Sequence, residues 1–216
     1  MRRDDQDSTE LGMKLHRRRV LQIAAAAGVL VAVPICRPAA HLARTALRDT
    51  DAREPLPPHT VDDASRLNRT RVAQIWSMPE DAGEAEEQLA QLLLHAQRQQ
   101  LHIAVAGARH TMGGQTIYPD GIQLNMLPFK QLALDQTAMR LHVQAGARWA
   151  EVIPYLEQTG HSVAVMQSNN TFSVAGSVNA NAHGWQHNHP PLASTVGSCR
   201  VMRANGQIVR CSRTEN

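Results

Sequence analysis

The stretch that decides the fold is "EDAGEAEEQLAQLLLHAQRQQLHIAVAG", residues 80–107. Its first turn is acidic, its apolar residues Leu89, Leu92, Leu93 and Ala96 recur at helical spacing, and its basic residue comes late. That is the charge and hydropathy pattern of an amphipathic helix read from N- to C-terminus. The run "LHIAVAG" (101–107) that follows is short, apolar and closed by glycine, as a buried strand is. The strand-like "RVAQIWSM" (71–78) before it ends at Pro79. Strand, helix and strand within about forty residues predict a βαβ unit with a parallel sheet.

Downstream, "GIQLNM" (121–126) reads as a further strand and "LALDQTAMRLHVQAGAR" (132–148) as a hairpin of alternating polarity. "WAEVIPYLEQTG" (149–160) reads as a short helix with Gly160 at its end, and "HSVAVMQS" (161–168) as a strand. Asn205-Gly206 marks a last hairpin. The fold class expected is α+β, a small βαβ subdomain followed by a mainly antiparallel one. Residues 41–67, polar and containing "EPLPPHT", read as a linker, and the domain as 68–216.

The first forty residues hold seven Lys/Arg and four Asp/Glu, leaving fifteen of each sign in the rest of the 216-residue chain. A neutral body with 3% aromatic residues offers neither a basic patch nor base-stacking platforms, so no nucleic-acid partner is expected. "HRRRVLQIAAAAGVLVAVPI" (16–35) has the layout of a targeting segment, and Arg17, Arg18, Val20 and Leu21 fit the twin-arginine pattern. Residues 1–40 are therefore expected to direct export to the periplasm. An uncleaved leader acting as a membrane anchor is the alternative, although its apolar run is short for a span.

With Cys36 assigned to the leader, Cys199 and Cys211 remain. A two-residue turn at Asn205-Gly206 sets Cys199 opposite Ser212 and puts the two thiols on opposite faces, so buried free cysteines and no cross-strand disulfide are expected.

Two stretches could carry chemistry. "VAGARHTMGGQ" (105–115) leaves a strand with several bare backbone positions around one Arg-His pair, which suits close approach to a bulky anion. No Gly-Lys-Ser/Thr and no G-x-G-x-x-G occurs there, so it is neither a P-loop nor a dinucleotide fingerprint. "NNTFSVAGSVNANAHGWQHNH" (169–189) is dense in Gly, Ala, Ser and Asn and can pack little core, which is explained if its backbone lies against a ligand. His183, His187 and His189 invite a metal reading, but no carboxylate or cysteine lies beside them to complete a shell. No metal is expected, and no G-x-S-x-G elbow marks a hydrolase.

Together the two stretches resemble the FAD-binding, PCMH-type domain of the vanillyl-alcohol oxidase family. Gly107 to Gln115 match its G-x-R/G-H-S-x-x-G loop, and Phe172 to Gly176 with His183-Gly184 match its T-V-G-G and H-G segment. The resemblance implies an FAD-linked oxidoreductase. It implies cofactor contacts at Gly107, Ala108, Arg109, His110, Thr111, Gly114, Gln115, Asn170, Ser173, Gly176, Ser177, Asn181, His183 and Gly184. It further implies a covalent bond from His110 to the 8α-methyl of the flavin. No cysteine stands at 171–173, where some relatives carry a second tether, so a single link is expected. Family enzymes continue into a substrate domain. That implies a truncated or split product, inactive alone, or a complementing chain that carries the remainder, and it leaves the small-molecule substrate and catalytic residues unread.

Overall fold

The computed structural model describes residues 38–43 and 55–215. The chain divides into two compact units, residues 1–55 and 56–216. Of the first, residues 38–43 are helical and exposed; the twin arginines and the apolar run lie outside the described residues. Among the described residues no helix is long and apolar enough to cross a membrane.

The second unit opens on β1 (Thr60–Val61) and β2 (Thr70–Arg71), an antiparallel pair. Residues 56–67 thus belong to the folded unit and are not a linker: Val61 is 2% and Asp63 6% exposed. Polar composition concealed this, because the segment's polar side chains bond to one another and to a loop fifty residues away.

The expected βαβ unit follows as β3 (Gln74–Ser77), α1 (Ala82–Gln99) and β4 (Ile103–Ala106). Asp81 caps α1, its carboxylate accepting the Gly83 amide at 2.8 Å and the Glu84 amide at 3.0 Å. Such a cap contributes about 1 kcal/mol. Gln100 closes the helix in the left-handed region at φ 54°. β5 (Ile122–Asn125) inserts between β3 and β4, parallel to both, so the sheet order is β3-β5-β4. A central parallel strand is covered on both faces, and Ile122, Gln123 and Leu124 are accordingly all buried. Ala85, Leu92 and Ala96 of α1 close on Ile122, Leu124 and Met78. Each large apolar side chain buried in this way stabilises by about 2 kcal/mol.

β6 (Leu132–Asp135) and β7 (Arg140–Val143) form the expected hairpin, against which α2 (Trp149–Glu157) packs Trp149, Val152 and Leu156. Beyond α2 the amides of Gly160 and His161 bond back to the carbonyls of Glu157 and Leu156, and Gly160 takes φ 72°. This is the left-handed stop its glycine predicts. Residues 161–168, expected to be a strand, have no ladder partner: Val163, Val165 and Met166 join the α2 core instead. Burial on one side can replace a sheet neighbour, and periodicity does not distinguish the two. α3 (Val174–Asn179) and a 3-10 turn (Leu192–Thr195) precede the last hairpin, β8 (Ser198–Met202) with β9 (Ile208–Ser212).

The register of that hairpin differs from expectation by one residue. Met202 pairs with Ile208, the Arg203 amide donates to the Gln207 carbonyl, and the Gly206 amide donates to the Arg203 carbonyl with φ 80° at Gly206. Gly206 is thus an extra left-handed residue following a tight turn, and this glycine bulge shifts every later pair by one. Cys199 therefore faces Cys211 directly.

Candidate functional site

The loop 107–115 leaves the carboxyl end of β4, the edge at which open parallel sheets bind ligands. The second stretch is brought to it by α2. The amides of Trp149 and Ala150 bond the carbonyls of Phe172 and Asn170, and the Val174 amide bonds the Ala147 carbonyl. Arg148 and Ser173 form an isolated antiparallel bridge. The start of α2 thus acts as a strap that fixes the turn at 170–173 leading into α3.

The two stretches then touch. A Cβ on Gly107 would lie 2.2 Å from Ser173 Oγ, a distance no real pair adopts, so glycine is required for this approach. The Ala108 amide donates to Ser173 Oγ at 3.4 Å. The His110 ring packs 4.4 Å from that of Phe172 and its Nε2 lies 2.7 Å from Thr171 Oγ1. The Thr171 hydroxyl in turn donates to Asn169 Oδ1 at 2.7 Å, and Asn169 Oδ1 also accepts the Thr171 amide at 2.9 Å.

This chain assigns the tautomer of His110. A threonine hydroxyl has one proton, and it is directed to Asn169, so Thr171 Oγ1 accepts from Nε2–H. Nδ1 keeps the free lone pair. Burial pulls the imidazole below its ordinary 6.5, which keeps the ring neutral at pH 7.

The loop's own path is set by Asp63. Its carboxylate accepts the Gly114 amide at 2.8 Å and Asn68 Nδ2 at 2.9 Å, and it also accepts from Ser65. The Ser65 hydroxyl foremost, with the Gly114 amide and Asn68, outweighs burial and lowers the Asp63 carboxyl from 3.8 to about 2. Gly114 sits at φ 68°, and the Ala64 amide holds the carbonyl of Arg109, itself left-handed at φ 54°. Asp63, Asn169 and Thr171 lay outside the expected site. The run "DDAS" is a composition typical of side-chain-capped turns and could have pointed to the first of these.

What remains open to a ligand is narrow. Among the described residues the amides of Arg109, His110, Thr111 and Met112 bond no protein acceptor. Arg109 joins no ion pair among them either. Successive free amides and a guanidinium carried on one loop are the donors that an anion of pyrophosphate type takes up. The residues present therefore fit FAD.

Several residues expected at the cofactor also bond or pack within the protein. The Gln115 side chain turns back onto the Gly113 amide at 3.1 Å. Ser177 is 2% exposed and accepts Trp149 Nε1 at 2.9 Å. Gly176 lies against Ser173 Oγ, Asn181 Oδ1 accepts the Ala193 amide at 3.1 Å, and Gly184 crosses the Met166 carbonyl. Asn170 is exposed, its carbonyl holding α2, and His183 turns Nδ1 to the Gly184 carbonyl at 3.1 Å. Among the described residues no three His, Cys, Asp or Glu side chains gather to hold a metal ion. A shallow groove of about 460 Å³ is lined by Glu80, Lys130, Gln131, Leu132, Glu151 and Tyr155 and includes no residue of either stretch.

The role of Asp63 is testable by pH. Its folded value is depressed, so its contribution is complete above 3.8 and is lost as pH falls from there towards about 2. Amide exchange should show the protection of Gly114 declining in that window. In Asp63→Asn the protection should be at least about tenfold lower at neutral pH, with that acid transition gone.

Comparison with known proteins agrees with this geometry. A family model described as an FAD binding domain matches residues 82–212, more than half of the chain. The chain belongs to this FAD-binding family of FAD-linked, PCMH-type oxidases. It is 24% identical to L-gulonolactone oxidase of Mus musculus over 144 residues, 66% of this chain and 32% of that one. It is 34% identical to alditol oxidase of a Streptomyces species over 99 residues, 45% of this chain and 24% of that protein. Among solved structures, 6-hydroxy-D-nicotine oxidase of Arthrobacter nicotinovorans superposes with a TM-score of 0.61 at 18% identity, covering 73% of this chain and 33% of that one. Xylooligosaccharide oxidase of Myceliophthora thermophila gives 0.56 at 22% identity, covering 68% and 31%. The fold is that of PCMH-type FAD oxidases, and the chain spans about a third of the length of these relatives or less.

Proposed function

We propose that this chain supplies the FAD-holding part of an exported FAD-linked oxidoreductase, with the flavin joined covalently to His110. The observation that carries this reading is the His110–Thr171–Asn169 chain, which leaves a neutral imidazole with its Nδ1 lone pair free beside four unengaged amides. Bound FAD would supply a ring that accepts a hydride from substrate. The amides of 109–112 and the Arg109 guanidinium would hold its pyrophosphate, Gly107 would let the backbone close on Ser173, and Nδ1 of His110 would form the bond to the flavin's 8α carbon. Hydride transfer itself is assigned to the whole oxidoreductase, whose substrate-binding part is supplied by further sequence or a complementing chain. Export to the periplasm rests on Arg17, Arg18, Val20 and Leu21 and the apolar run behind them.

The test is to produce the chain with FAD present, record its visible spectrum, and precipitate it with acid. A yellow pellet whose colour survives washing is the expected result. Flavin released wholly into the supernatant would remove the covalent bond and leave the binding role. Colourless protein throughout would favour the alternative, a non-catalytic module that keeps the fold without the cofactor.

A further inference from the structure

We propose that Cys199 and Cys211 form a disulfide that staples β8 to β9. The glycine bulge at Gly206 makes them direct partners in the antiparallel ladder. Directly opposed residues of such a pair have Cα atoms about 4.5–5.5 Å apart, inside the window of about 4.4–6.8 Å that a disulfide spans. As directly opposed residues, their side chains share one face of the hairpin. Cys199 is exposed and Cys211 half-buried, so an oxidant can reach the pair from solvent.

The oxidant is a disulfide of low molecular weight, of the oxidised glutathione class. Cys199 loses its proton to solvent and its thiolate attacks one sulfur of the donor, which forms a mixed disulfide and expels one donor thiolate. The Cys211 thiolate then attacks the Cys199 sulfur and expels the second. Two protein thiols are oxidised and one donor disulfide is reduced to two thiols. Burial, and then the neighbouring Cys211, raise the Cys199 thiol above its ordinary 9.0, so the first step quickens as pH rises above neutrality. The staple also secures the strand that carries Arg200, whose Nη1 lies 2.7 Å from Glu86 Oε1 on α1. Oxidation therefore holds the hairpin register beside its ion pair to the helix.

The experiment equilibrates the full chain in glutathione buffers of graded ratio, quenches with acid, alkylates free thiols and digests with trypsin. Cleavage after Arg200 and Arg210 places the two cysteines on separate peptides. The expected result is a linked pair lighter than the sum of its peptides by two hydrogens, lost on reduction. Reduction should lower the unfolding temperature by roughly 5 °C. Cys199→Ser should show neither the linked pair nor the shift. Three results would overturn the proposal: both thiols alkylated in oxidised glutathione, a glutathione adduct that persists on Cys199, or Cys36 linked to either partner.

Discussion

His110→Ala is expected to abolish acid-stable flavin completely while leaving the fold intact. The ring is partly exposed, and its loss leaves the Asp63 anchor and the Ser173 contact in place, so circular dichroism should be unchanged. What disappears is the lone pair on Nδ1. Thr171→Val separates position from chemistry. It removes the acceptor that holds Nε2–H and keeps a side chain of similar volume, so the ring stays but its tautomer is no longer held. Covalent incorporation of FAD should slow roughly tenfold, in line with the loss of partners that orient other histidine ligands, and the final linked fraction should be unchanged. Because burial lowers the His110 value below 6.5, incorporation into the native chain should be level at neutral and alkaline pH and fall in acid as the ring protonates. Acid-stable flavin in His110→Ala would place the link elsewhere.

Gly146→Ala is expected to prevent folding. The added Cβ would stand 1.7 Å from the Met126 carbonyl oxygen and 2.7 Å from that of Phe129. Neither carbonyl can retreat, since the Gly146 amide donates to Phe129 at 2.7 Å, the Phe129 amide donates to Met126 at 2.9 Å, and the adjoining Ala147 is fully buried. Overpacking against side chains costs about 1–3 kcal/mol; against backbone it costs more, within a total stability of about 5–15 kcal/mol. Soluble yield and the urea midpoint measure it. Gly197→Ala is the control: no atom lies within 4 Å of its added Cβ, so the unfolding free energy from the urea curve should move by less than about 0.5 kcal/mol.

The βαβ unit was legible because its cues are local. Asp81 caps α1, the stripe through Leu92 and Ala96 faces the sheet, and Gly160 stops α2, each through residues within a turn or two of one another. Residues 56–67 were not legible, because polar side chains that bond one another look the same in a list of residues as side chains that bond water. The last hairpin shows a finer limit. Asn205-Gly206 announced the turn, yet whether glycine occupies the turn or a bulge beside it changes the register by one residue and decides whether two thiols meet.

The amino-acid sequence alone determined the βαβ unit, the places of the two later hairpins, the glycine-rich loop after β4 with Arg109 and His110, and the second stretch sixty residues on that completes the family pattern. It did so because helix periodicity, capping and bare backbone are properties of neighbouring residues. The tertiary structure decided which amides of the loop stay free, since Asp63 claims that of Gly114 and Ser173 that of Ala108. It also decided which nitrogen of His110 holds the lone pair, since Thr171 and Asn169 orient its ring. Hydrogen bonds between groups fifty or sixty residues apart exist only once the chain has closed on itself, and here they convert a motif into a site.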